Sequence, residues 1–467
     1  MLRGLTVRRL TEPVDGAGLA AFRALFGAVL LYSVVRFAAY GWIDELLLEP
    51  AYHFTYYGFD WVKPWPRAGM YLHFVLMGAA ALGILLGAWT RLSAALYFVT
   101  FTYVELIDKA TYLNHYYFVT LMTLLLVFVP VARVGSVDAW RRARRGLEPA
   151  PVRLWSYALL RTQLAIVYFF AGFAKLNGDW LLRGEPMRTW LLRFGEAPLI
   201  GPELSQPWAA HTLSIAGAIY DLTIVGWLLW RRSRPYAYAA VVVFHVTVWL
   251  LFPIGVFSWV MLSATTLFFD PGWPRALAAR VRSGRRGDAA SSAALPASRA
   301  VDAGAHDPRT RRRWILGGAL ALAYLALQVL TPLRFLLYPG NVNWHEQGFR
   351  FAWRVMLIEK TGQVELEVVS GDERPRRARV LPREELTALQ YKMMSTQPDM
   401  ILEYAQHVGR RYQAQGWREV RVYASAWAAL NGRPRQQLID PSVDLMRVPR
   451  SLAPKAWIVP LARSALE

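Results

Sequence analysis

The run VYFFAGFAKLNGDW, residues 167–180, closes an apolar stretch on one lysine, Lys175. Two roles are open to it. At a membrane boundary its long stem can reach the headgroups and serve only as an anchor. Alternatively, Ala171 and Gly172 let a neighbouring backbone come close and enclose the amine. An ammonium taken out of water gives up its proton more readily, leaving a neutral base. Three more polar residues stand in or beside apolar runs, where such groups are costly and therefore candidates for function. His115 follows the tight polar turn DKATYLN, residues 108–114, and suits either a hydrogen-bonded interface residue or a catalytic group. Asp221 and His245 fall near the middle of their segments and could pair, either to structure the helices or to carry a proton. Too few ligands converge for a metal, and the absence of cysteine excludes disulfides, thiolate nucleophiles and cysteine-ligated clusters. The glycine-rich, zinc-binding and nucleophile-elbow signatures of soluble enzymes are absent.

These side chains are carried on nine apolar segments, each long enough or nearly so to cross a hydrocarbon core of about 30 Å. They are residues 19–40, 70–88, 92–107, 115–131, 154–173, 211–230, 236–252, 255–269 and 314–337. From 154 to 175 a helix advances about 32 Å, which puts Lys175 at a boundary. Segments seven and eight are short and meet at Pro253-Ile254-Gly255, as a tight hairpin or a re-entrant pair. Arginines concentrate at 132–153, at 231–234 and at 275–313, the last holding ten. With nine alternating helices all three lie on the side of the N-terminus, which the positive-inside rule makes cytoplasmic. Lys175 and His115 then face outside. Residues 1–16 have no apolar core or cleavage site, so no removable leader is expected and the first span directs insertion.

Composition agrees. Of 467 residues 55% are hydrophobic, with 20 Trp, 22 Tyr and 22 Phe, too apolar and aromatic for an ordinary soluble domain. The net charge of +20 sits in short loops rather than on a basic face, which argues for membrane orientation and against nucleic acid. The expected architecture is a polytopic α-helical membrane domain of about nine helices followed by a small α+β extracytoplasmic domain. Its parts are a cytoplasmic segment 1–18, a membrane domain 19–337 with a disordered basic linker at about 283–313, and an outer domain 338–467. In that domain 349–359 and 363–370 alternate as strands around Lys360-Thr361-Gly362, a helix spans about 383–413, and 418–439 reads as a hairpin turning at Asn431-Gly432.

With these residues in view, the chain resembles the vitamin K-dependent gamma-glutamyl carboxylases, in a bacterial form related to the HTTM group. The family's Ala-Gly, Lys-Leu and Asp-Trp pattern is similar to Ala171, Gly172, Lys175, Leu176, Asp179 and Trp180. Its Asp-Lys and Asn-His resemble Asp108, Lys109, Asn114 and His115. A further match runs from His245 through Leu251, Phe252, Ile254, Gly255 and Phe257 to Pro271, Trp273, Pro274 and Arg275. In the tail it continues through Gly348, Trp353 and Met356 to Asn431, Arg433, Gln436, Asp440, Pro441, Val443 and Asp444.

The resemblance implies reduced vitamin K as cofactor, a naphthohydroquinone or in a bacterium a menaquinol, with O2 and CO2 as co-substrates and no metal. Lys175 would deprotonate the quinol. Oxygenation would generate a base strong enough for a glutamate Cγ proton, CO2 would trap the carbanion, and the quinone would leave as its epoxide. His115 is implied as an auxiliary catalytic residue and Arg193, a weaker match, as a holder of carboxylate or CO2. Asn114, Asp221, His245 and Trp353 join Arg193 as expected substrate-binding residues. The implied partners are a glutamate-containing exported peptide, a lipid-soluble quinone and membrane lipids, at a bacterial inner membrane with the C-terminal domain outside. The chain departs from the family where Ile358 replaces a histidine and Val248 an asparagine. Two alternatives therefore stand beside the carboxylase: a membrane quinol epoxidase or monooxygenase without carboxylation, and a non-enzymatic maturation protein.

Overall fold

The computed structural model describes residues 7–148, 151–198, 200–252, 254–283 and 308–462. The linker expected at 283–313 falls largely outside the described residues. Six helical stretches are long and apolar enough to cross a membrane. They are α1 (Ala17–Ala39), α2 (Arg67–Leu86), α5 (Leu154–Ala174), α6 (Pro207–Leu229), α7 (Arg234–Leu251) and the stretch Arg311–Leu337, made of α9 (Pro308–Leu333) and the 3-10 turn Arg334–Leu337. The other three apolar segments are helical too: α3 (Thr90–Ile107), α4 (Asn114–Phe128) and α8 (Phe257–Thr265), the last two shorter. The chain is a multi-pass membrane protein.

The arginine-rich segments gather at one end. Pro13–Val14 pairs antiparallel with Val152–Arg153, Asp15 holds Arg275 at 3.0 Å, and Arg234 holds Asp270 at 3.0 Å. Arg23, buried inside α1, donates to the carbonyls of Ile84 at 2.6 Å and Gly135 at 2.7 Å and to that of Leu85, so three chain segments are tied by one guanidinium.

At the opposite end sits the C-terminal domain, an antiparallel sheet in the order β2 (Arg377–Val380), β1 (Lys360–Val369), β3 (Arg421–Leu430), β4 (Gln436–Gln437). Alternating buried positions, Val364, Leu366 and Val368 on β1 and Val422, Ala424, Ala426 and Ala428 on β3, form the face covered by helix. Phe54 and Ala110, from loops between membrane helices, belong to the same core, so the domain has no solvent layer beneath it there.

Three sequence expectations are corrected here. Residues 349–359 do not form a strand; the segment turns repeatedly, with left-handed backbone at Phe351, Trp353 and Met356. Its apolar alternation is spent on packing against the membrane helices. The strand instead begins at Lys360, so Lys360-Thr361-Gly362 is not a turn, and Gly362 is required there because a Cβ would meet the Ser395 carbonyl oxygen at 2.1 Å. The single helix of 383–413 is two, α10 (Ala388–Met394) and α11 (Pro398–Ala414), because Pro398 holds Gln397 in extended backbone. The hairpin at Asn431-Gly432 is present, both residues having positive φ.

Candidate active site

Lys175 ends α5 and is 5% exposed, which removes the reading of a snorkelling anchor. Its three N–H donors are all used: Nζ lies 2.8 Å from Asp221 Oδ2, 3.2 Å from the Ala171 carbonyl and 3.5 Å from the Val355 carbonyl. Gly172 makes the first contact available. A Cβ there would stand 2.9 Å from the Leu222 backbone nitrogen and 2.7 Å from its side chain, so only glycine lets α6 bring Asp221 to the lysine. After Lys175 the chain reverses on Asn177, which accepts from Trp180 N at 3.1 Å and donates to the Ala174 carbonyl at 2.9 Å. The Trp180 ring is thereby folded back to 5.1 Å from Nζ.

The third acceptor comes from the C-terminal domain. Successive carbonyls of its turning segment 351–356 take one donor from the start of α4 and one from the end of α5: Arg354 from Asn114 Nδ2 at 3.1 Å, Val355 from Lys175 Nζ. Successive carbonyls are close, so Asn114 and Lys175 are at most about 12 Å apart. Tyr112 fixes the approach by donating to Asn114 Oδ1 at 3.0 Å and accepting from Phe351 N at 2.7 Å. Trp353 stacks on Tyr117 with centroids 4.9 Å apart, and its buried Nε1 has no hydrogen-bond partner.

His115 is buried one residue beyond Asn114, its ring 5.7 Å from Phe257, and His245 lies 5.6 Å from the same ring. The expected pairing of Asp221 with His245 does not occur. Asp221 is taken by Lys175, and His245 Nε2 lies 3.2 Å from the Tyr168 hydroxyl, leaving its buried Nδ1 without a partner. Segments seven and eight pack as a pair, the Ser258 hydroxyl donating to the His245 carbonyl at 2.7 Å. Arg193 is not aimed at Lys175. Two-thirds exposed, it holds Glu359 at 2.9 Å, which also accepts from Trp190 Nε1 at 2.6 Å.

Ile358, the apolar replacement noted in the sequence, packs with Ala174, Trp180, Ala218 and Leu357 around the lysine's helix end.

Two groups of motif residues acquire a role that sequence reasoning did not assign. Asp179 holds Arg433 at 2.6 Å and accepts from Asn431 Nδ2 at 3.0 Å, while Asn431 also donates to the Leu357 carbonyl at 3.1 Å. Lys109 holds Glu403 at 2.6 Å and Asp399 at 3.0 Å, and its neighbour Asp108 accepts from Gln390 Nε2 at 2.7 Å. Both are knots that dock the C-terminal domain on the membrane domain. Tyr168 was also missed, though it stands two helical turns before Lys175 on the same face and spacing could have found it. Among the described residues no three His, Asp or Glu side chains gather as a metal site.

Residues 11–273 match the HTTM domain, and residues 314–464 match the lumenal domain of vitamin K-dependent gamma-carboxylase. The second match covers the segment that touches Lys175 and the C-terminal half of each docking knot, and the first covers the other halves. No solved structure matches the chain. A membrane domain of one kind, covered at one end by a domain of the other, makes this chain a member of the HTTM-related carboxylase family.

Proposed function

We propose that this protein is a vitamin K-dependent gamma-glutamyl carboxylase in which Lys175 is the base for the quinol and Asp221 is its proton partner. The observation that carries the reading is the buried contact of Lys175 Nζ with Asp221 Oδ2 at 2.8 Å, covered by the Val355 carbonyl of the outer domain. When bound, a naphthohydroquinone supplies with O2 a base strong enough for a glutamate Cγ proton and leaves as its epoxide. The residues suit such a group. Tyr116 and Phe257 flank His115 and Trp353 stacks on Tyr117, aromatic surroundings that suit a quinone ring, and Trp353 Nε1 and His245 Nδ1 are buried nitrogens without partners that a ligand oxygen would satisfy.

Asp221 Oδ2 accepts the lysine's excess proton in a site where water does not compensate the separated charges, which frees Nζ to receive the quinol hydroxyl proton. Trp180 and the Val355 backbone exclude water from Nζ. His115, with Asn114 beside it, steadies the anion that develops. Arg193, already paired with the Glu359 carboxylate, could exchange it for the carboxylate of a peptide glutamate. The arginine-rich end is cytoplasmic and the outer domain periplasmic or extracellular, where an exported peptide arrives. In a bacterium the membrane is the inner one.

Ile358 favours one second reading, a quinol epoxidase without carboxylation, because an apolar side chain beside the lysine's helix end cannot supply the hydrogen bonds of a histidine. Purified protein given reduced vitamin K, labelled bicarbonate and a glutamate peptide separates the two. Epoxide together with labelled gamma-carboxyglutamate, both lost in Lys175→Ala, is expected. Epoxide alone would support the second reading, and undiminished epoxide in Lys175→Ala would remove the lysine from the chemistry.

A further inference from the structure

Away from Lys175, a cavity of about 180 Å³ opens at the junction of the two domains. Its wall carries five cations, Lys109, Arg334, Arg350, Arg450 and Lys455, against the carboxylates Glu346 and Asp399. Most of this charge is matched. Lys109 and Arg350 share Asp399 at 3.0 and 2.9 Å, Arg450 holds Asp60 at 2.6 Å, and Glu346 is held by Lys360 at 3.1 Å. Two cations, Arg334 and Lys455, form no ion pair among the described residues, although Asp399 acts on Lys455 from across the cavity. Arg334 donates to the Thr331 carbonyl at 3.1 Å and to the Arg350 carbonyl, and Lys455 Nζ donates to the Ser451 carbonyl at 2.9 Å. Carbonyl dipoles leave a full positive charge on each, in a partly enclosed space where an anion gains most from meeting it.

The position of Arg334 says which anion. It opens the 3-10 turn Arg334–Leu337 that ends the last apolar span, and that span is only 6% buried by protein. Leu330 and Leu337, on the face of Arg334 by helical spacing, are 63% and 73% exposed, and Leu452 on the cavity wall is 70% exposed. The cavity thus lies where a lipid-facing apolar surface gives way to charge. A free acidic peptide would use the cations but leave this surface uncovered.

We infer that this cavity binds the phosphate of an anionic phospholipid headgroup, with Arg334 and Lys455 supplying the charge and the acyl chains lying along Leu330 and Leu337. The site is separate from the quinol chemistry and stands whether or not that reading holds. Lipid seated there would touch the span's last turn, the outer-domain segment at Arg350 and the C-terminal segment at Lys455, fastening the outer domain to the bilayer surface.

Native mass spectrometry of the full chain released from detergent tests this, with phosphatidylglycerol, phosphatidylcholine, inorganic phosphate and hexaglutamate as probes. Phosphatidylglycerol should be retained over phosphatidylcholine by the wild type. The double variant Arg334→Gln, Lys455→Gln should bind it about 30-fold more weakly, the loss of two interfacial charge contacts. Arg334→Lys, Lys455→Arg keeps both charges and should retain it. Equal retention of the two lipids by the wild type, which needs no variant to fold, would overturn the inference. So would unchanged phosphatidylglycerol binding in the double variant, inorganic phosphate binding as tightly as the lipid, or hexaglutamate being the probe whose binding the double variant loses.

Discussion

Lys175 and Asp221, 46 positions apart, meet as a buried pair at 2.8 Å because Gly172 allows the helices carrying them to touch. The pair is the centre of the proposed site. If Asp221 is the proton partner, Asp221→Asn leaves the size of the side chain and removes its capacity to take a proton. Epoxide formation and bicarbonate incorporation should then fall together by about 100-fold or more, in the range of losses for a positioned acid or base. A parallel thermal melt measures the separate cost of leaving the buried Lys175 amine without its carboxylate, and full activity in the variant would exclude Asp221 from proton transfer.

Gly172→Ala tests the approach of the helices. The new Cβ would press on the Leu222 backbone at 2.9 Å, and α6 must move to relieve it. A cost of about 1–3 kcal/mol is expected for overpacking, read in a thermal melt. Activity should fall further than stability does, because the displacement falls on the residue next to Asp221.

The Asp179 knot predicts a different phenotype. Asp179→Ala removes the carboxylate that holds the buried Arg433 at 2.6 Å and accepts from Asn431, and should lower stability. The C-terminal domain should loosen while the membrane helices persist, so limited proteolysis should cut first within 338–462. Cleavage at the wild-type rate would mean that the knot does not secure docking.

Acid should act through the second knot. Burial alone would raise the Asp399 carboxyl, but Arg350 and Lys109 outweigh it and hold the group well below the usual carboxylate range. Its contribution is therefore complete above the unfolded value of about 4 and is lost as pH falls below that. Melting temperature should fall below about pH 4, and Asp399→Asn, less stable at neutral pH, should show a shallower acid decline. The same decline in both proteins would assign it to other carboxylates.

Much of the architecture could be read in the residues themselves, because it depends on composition and on short-range periodicity. Apolar runs are long enough to span a bilayer, arginine loops sort to one end, and Asn431-Gly432 turns a hairpin. Those same local signals misread residues 349–359, where the alternation of Phe349, Phe351, Trp353, Val355 and Leu357 is that of a strand. The contacts that decide the segment's shape come from Tyr112, Asn114 and Tyr117, far away in the chain.

The site divides in the same way. Sequence by itself singled out Lys175, His115, Asp221 and His245, since a charged or ionisable group beside hydrocarbon is conspicuous wherever it falls. It could not say that Asp221 belongs to Lys175 rather than to His245, or that Asp179 and Lys109 dock a domain. Those assignments depend on which helix faces meet and on how close glycine lets them come, and only the tertiary structure decides that.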